Sequence, residues 1–282
     1  MRMLLAGAEE PKGFFCRKAA LSRDAFGFSM RYPSAQKNRR SLNRPIHRRA
    51  WAFHRSRFDM PVPRRVRYFL EGLLVGAAPY LIIVRESWRP TDPIAGNLFQ
   101  VLVMWSWVAV GWLVLKLRGE SVSGIGIRMP KNVLRTIGLG LLLAVVIFSL
   151  SQLRDYIGAK ADLSWLYPLR GNLPLTLSTM AVGFLGAGIS EEFVNRGVAM
   201  HSFARAFGER RWSWVVAAIL QAGLFTIGHS YMGFYGMIWA FVLALLLAAA
   251  FFAFKRNLIP LMIGHGLHNV LKMTLFYFGV AI

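Results

Sequence analysis

Acidic residues are scarce in this chain: 13 Asp and Glu stand against 34 Lys and Arg, and charged residues make up only 17% of the whole. A soluble domain of 282 residues needs more polar surface than that, and 55% of the residues are hydrophobic. A membrane protein is therefore the first reading. Cysteine occurs once, as Cys16, which excludes an internal disulfide and a cysteine-based metal site. The sequence holds no HExxH, in which two metal ligands would share a helix with a base. It also has no zinc-ligand, RNP-type or basic-helix pattern to accompany its net charge of +21, so nucleic acid is not an expected partner. No internal repeat of the kind that marks many transporters is visible.

The basic charge that is present gathers at one end. Residues 1–67 carry 17 of the 34 Lys and Arg against four acids, a net of +13. A basic tail beside membrane spans faces the cytoplasm and anionic lipid. Its opening apolar patch is too short for the core of a signal peptide, and its Ser, Arg, Pro and Asn content predicts disorder. Met60 offers an alternative start, with "MPVPRRVRYFLEG" leading directly into apolar sequence.

Seven apolar segments follow, at roughly 68–84, 97–115, 136–153, 175–195, 212–229, 234–254 and 257–279. In lipid the backbone must satisfy its own hydrogen bonds, so these segments are expected to be helices. The expected fold is all-α: a polytopic membrane bundle of about seven transmembrane helices behind the tail. Lys and Arg alternate between high and low from one connection to the next, with five at 116–135, three at 154–174, four at 196–211 and none at 230–233. That alternation places the N-terminus in the cytoplasm and the C-terminus outside.

After the tail only Glu71, Glu191 and Glu192 fall within an apolar segment. Glu71 lies near a helix end, where it can snorkel to water. The pair at 191–192 cannot, and a carboxylate in the membrane costs several kcal/mol unless it is paired or hydrated. On an α-helix the two point about 100° apart, so each has its own task. Arg196 stands four residues after Glu192 and reaches it on the same face. Glu191 is left without a local counter-charge, as a general base requires. Later segments add histidine. "LFTIGHS" sets Phe225 one turn before His229, and "LIPLMIGHGLHNVLK" sets His265 and Asn269 on one face, with His268 about 60° away. Together they supply a base, two imidazoles and an amide donor, enough to activate water and stabilise an oxyanion.

"EEFVNR" fits EExxxR, "FTIGH" fits FxxxH and "HGLHN" fits HxxxN, in that order. This pattern resembles the CAAX prenyl-protease and bacteriocin-processing intramembrane proteases, also called the Abi family. The likeness extends over about 120–279, including the lead-ins "SGIGIRMPKN" and "NLIPLMIGH". It implies a protease domain at 120–279 behind N-terminal membrane helices at 68–119.

Carried over to these positions, the resemblance implies that Glu191 and His229 hold and activate the attacking water. His265 and Asn269 would stabilise the oxyanion, Glu192 with Arg196 would brace the segment, and Phe225 would support His229. One Glu and two His could form a zinc site of the His₂Glu type, and the same groups also suit a metal-free, glutamate-activated water. The implied activity is that of an intramembrane endopeptidase in a bacterial inner membrane. Its substrate would be a membrane-associated or amphipathic peptide or small protein, processed for maturation or for immunity. A proton-coupled transporter and a non-catalytic scaffold that keeps the polar cluster are the alternatives.

Overall fold

The computed structural model describes residues 62–81 and 89–280. The tail through residue 61, with Cys16, His47, His54 and Met60, and the loop residue Arg85 lie outside the described residues. What is described is helical, with no strand. Seven rods run in chain order: α1 Val62–Leu81, α2 Pro93–Leu117, α3 Val133–Tyr156, α4 Leu173–Ala206, α5 Arg211–Ile227, α6 Gly233–Ala253 and α7 Ile259–Tyr277. Each coincides with one predicted apolar segment. By length and composition, four segments can cross a membrane: Pro93–Leu117, Val133–Tyr156, Leu173–Ala206 and Ser230–Ala253.

The boundaries follow local chemistry rather than the apolar runs. Asp92, Asn132 and Asn172 each accept a hydrogen bond from a backbone N–H three residues on, at 2.7, 2.8 and 3.1 Å. These polar caps start α2, α3 and α4 ahead of their first buried apolar residues. Pro93 and Pro174 sit in the first helical positions, where no N–H is needed. Helix α1 begins at Val62, so residues 62–67, expected to belong to the tail, are helical instead. Glu71 also departs from expectation. It does not snorkel; Arg118 on α2 donates to it at 2.8 Å, and Arg67 donates to its other oxygen at 2.8 Å.

Helix α4 is not a plain α-helix. Its middle, Val182–Ala199, is wound as a π-helix, flanked by α-helical turns Leu173–Ala181 and Met200–Ala206. The i→i+5 bonding of such a segment widens the rod and re-aims side chains, which is why π-turns gather at functional sites. This segment packs against both α2 and α7, and α7 packs in turn against α3. Between apolar helices in lipid the hydrophobic effect offers little, so close approach of small residues must hold them. Gly188 shows the closeness required. A β-carbon there would meet Gly266 Cα at 2.6 Å and Gly266 N at 2.9 Å, backbone against backbone. The Gly188→Ala variant should therefore push α7 off α4, at a cost of about 1–3 kcal/mol in stability. A thermal-denaturation midpoint equal to wild type in the same detergent would show the contact to be loose.

The predicted outer loop at 154–174 is partly built. A short 3₁₀ turn, Ser164–Leu169, buries Leu163, Leu166 and Leu169 against Met232 and Met273. Helix α5 stops at Ile227, two residues short of the predicted end, and a 3₁₀ turn at Ser230–Met232 leads to Gly233 at φ 72°. His229 therefore sits in the break between α5 and α6 rather than on a helix face.

Candidate active site

The brace expected from spacing is present. Arg196 donates from Nη1 to Glu192 Oε1 at 3.1 Å, and both side chains are wholly buried. The guanidinium also donates to the carbonyl of Ala244 at 3.4 Å and lies 4.9 Å above the Phe225 ring. Burial of this charge is thus compensated three ways: by a carboxylate, a carbonyl and an aromatic face.

The same carboxylate oxygen receives a second donor. His265 Nδ1 lies 2.8 Å from Glu192 Oε1, and a carboxylate can only accept, so Nδ1 carries the proton. His229 is fixed by the same logic. Its Nδ1 lies 2.8 Å from the carbonyl of Phe225, one of the carbonyls freed where α5 ends. Its ring lies against the Phe225 ring, with centroids 4.3 Å apart and the planes tilted by 32°. In both histidines Nδ1 is spent on a fixed acceptor and Nε2 is the nitrogen left for chemistry.

Glu191 stands apart from this unit. It is half-buried, and its Oε2 has no hydrogen-bond partner among the described residues. Tyr231, which follows His229 and lies 5.9 Å from its ring, is within electrostatic reach of Glu191. Asn269 donates weakly, at 3.3 Å, to the carbonyl of Gly183 on the π-helical segment. The structure therefore brings Glu192, Arg196, Phe225, His229 and His265 into one connected chain, and ties Asn269 to the same helix as Glu191. No direct contact joins Glu191 to His229, His265 or Asn269 among the described side-chain hydrogen bonds.

Two other histidines are accounted for. His201 is buried, with Nδ1 3.2 Å from the carbonyl of Arg196 and its ring edge-on to Trp214 at 4.9 Å. His268 faces α3, with its ring 6.4 Å from Phe148, in keeping with its offset on the helical wheel. Sequence reasoning passed over Gln221. It is fully buried on α5, one turn before Phe225, with neither end of its amide hydrogen-bonded among the described residues. A polar residue amid the apolar "VVAAILQAGLF" was the available signal. Among the described residues no set of three or more His, Cys, Asp or Glu side chains is grouped so as to hold a metal ion. The His₂Glu zinc arrangement raised by the resemblance does not fit this geometry.

Membrane-length helices enclosing a polar unit of Glu, Arg and His define an all-helical integral membrane protein with an internal site. Residues 173–271 match the family model of Rce1-like proteins, described as type II CAAX prenyl endopeptidase Rce1-like. All three motifs lie inside the matched residues, whereas the lead-in at 123–132 lies outside them. No curated protein and no solved structure matches the chain.

Proposed function

We propose that this protein is an intramembrane endopeptidase that hydrolyses a peptide bond of a membrane-associated or amphipathic substrate. The observation that carries the reading is the connection of three sequence-distant motifs through one buried unit. Glu192 of EExxxR holds both Arg196 and His265 of HxxxN, and Arg196 rests on Phe225 of FxxxH. The description of the family matched, a CAAX prenyl endopeptidase, supports the same reaction class.

In this reading Glu191, the carboxylate free of the brace, takes a proton from water as it attacks the scissile carbonyl. His229, with Nδ1 donated to Phe225, presents the Nε2 lone pair to that water. His265 and Asn269 donate to the developing oxyanion, His265 from Nε2 as an imidazolium whose Nδ1–H is held by the Glu192 carboxylate, and Asn269 through the amide N–H not given to Gly183. The proton taken by Glu191 then passes to the leaving amine. All seven rods would cross the bilayer, with the N-terminus cytoplasmic and the C-terminus outside, as the loop charges predict. A bacterial inner membrane suits that layout.

The reading is tested by reconstituting purified protein in liposomes with a library of membrane peptides. Wild type should yield defined cleavage products. The His265→Ala variant should be slower by about 10²–10³-fold, as for loss of one oxyanion donor. Cleavage at the wild-type rate by that variant would overturn the role given to His265.

A further inference from the structure

An open crevice runs down the exposed side of α2, and no step above uses it. Its apolar part, about 560 Å³, lies between Trp105, Ala109 and Trp112 of α2, Ile189 and Phe193 of α4, and Met262 of α7. The contact between α2 and α4 fixes its walls. Ser190 donates to the carbonyl of Met104 at 2.8 Å, and buried Gly111 lets the Phe193 ring approach until a β-carbon would meet it at 3.0 Å. Beyond Trp112 and Val122, which line both parts, the crevice becomes polar. This second part, about 440 Å³, holds Lys116, Glu120 and Ser121.

Length and charge select what such a crevice fits. From Trp105 to Lys116 is roughly 16 Å along the helix axis. One bilayer leaflet has about that depth of hydrocarbon, half of the ~30 Å core. The apolar part thus matches the depth of one leaflet, with the polar part at headgroup level, where tryptophans such as Trp112 gather. That polar end is basic. Glu120 is paired with Arg205, whereas Lys116 forms no ion pair among the described residues and lies 5.1 Å from the Trp112 ring centre. The Ser121 and Ser123 hydroxyls bond at 2.8 Å, and Arg128 donates to the Ser123 carbonyl at 3.1 Å, which brings a second cation toward that end. The loop charges assign this side to the cytoplasm, whose leaflet carries the anionic lipid.

We propose that this crevice binds one anionic glycerophospholipid of the cytoplasmic leaflet, with an acyl chain between Trp105 and Trp112 and the headgroup phosphate at Lys116 and Ser121. A peptide laid along the apolar part would leave backbone N–H and C=O groups unsatisfied, whereas an acyl chain has none to satisfy. Free phosphate would use the polar end alone. Ile189 and Phe193 belong to the π-helical segment that carries Glu191 and Glu192, so the acyl chain lies against the same segment as the candidate active site. The site itself requires no peptidase chemistry.

The test is native mass spectrometry of the purified full chain in detergent, with phosphatidylglycerol or phosphatidylcholine of the same acyl chains added. Wild type should hold one phosphatidylglycerol about tenfold more tightly than phosphatidylcholine, as one charge-assisted hydrogen bond gives. Lys116→Gln should abolish that preference and Lys116→Arg should keep it. Lys116 is exposed, so this pair reports on the lipid whatever other variants do to the fold. Ala109→Trp should fill the apolar part and weaken both lipids, with the unfolding midpoint in lipid-free detergent unchanged. Leu142→Trp, which adds the same ring at an exposed position on α3, should bind as wild type does. Equal retention of the two lipids by wild type, or a preference that survives Lys116→Gln, overturns the proposal. Binding that persists in a folded Ala109→Trp, or that inorganic phosphate displaces, reduces the site to a surface anion contact and overturns it too. One-for-one displacement of the lipid by a membrane peptide would give the crevice to a substrate instead.

Discussion

Glu191→Gln should lower cleavage by about 10²–10⁴-fold, the usual contribution of a general base, while leaving the unfolding midpoint where it is in wild type. The two halves of this expectation come from one observation. Glu191 is the carboxylate outside the buried unit: Arg196 and His265 pair with Glu192, and Glu191 makes no ion pair among the described residues, so its charge is not tied into the fold as that of Glu192 is. Glutamine keeps the shape and removes the capacity to accept a proton from water. The neighbouring change has the opposite signature. Glu192 is wholly buried and holds both Arg196 and His265, so Glu192→Gln should lower the unfolding midpoint. Its residual cleavage should follow the fraction of protein still folded. Measured side by side, the two variants separate base from brace. Robust cleavage by Glu191→Gln would end the proposed mechanism. An unfolding loss in Glu191→Gln as large as in Glu192→Gln would show that the two acids share one structural task.

The sequence already held the parts of this division but not their connections. The offset between Glu191 and Glu192, and the four-residue step to Arg196, could be read because helical spacing is a local property. Helix existence was legible for the same reason: seven long apolar runs became seven rods. What spacing could not supply was any contact between helices. That His265 spends Nδ1 on Glu192, rather than facing Glu191, depends on Gly188 and Gly266 letting α4 and α7 touch. The π-winding of Val182–Ala199 was equally hidden, since residue spacing over so short a segment distinguishes poorly between 3.6 residues per turn and a wider coil. His229 was misplaced onto a helix because the break after Ile227 is set by Gly228 and Gly233, in a stretch that still reads as apolar.

Arg196→Met should cost about 3–5 kcal/mol of stability, the range for removing one partner of a buried ion pair. The reason is the company Arg196 keeps. Its guanidinium is wholly buried, donates from Nη1 to Glu192 and from Nη2 to Ala244, and lies over Phe225, and its removal leaves Glu192 with only His265 as a donor. The partner change, Glu192→Gln, should be at least as damaging. A stranded glutamate can become neutral by taking a proton, but a stranded arginine stays charged at any pH the protein survives. The double variant Glu192→Gln with Arg196→Met removes both charges and keeps an acceptor for His265. It should recover most of the loss, because well-packed neutral groups often replace a buried pair at little cost. A double-mutant cycle on unfolding in detergent measures this directly. Additive losses, with no recovery in the double variant, would mean that the two residues stabilise the helix independently. Recovery of the fold without recovery of cleavage would show that the pair also sets the position of His265. Its Nε2 can face an oxyanion only while Nδ1 is held where Glu192 now holds it.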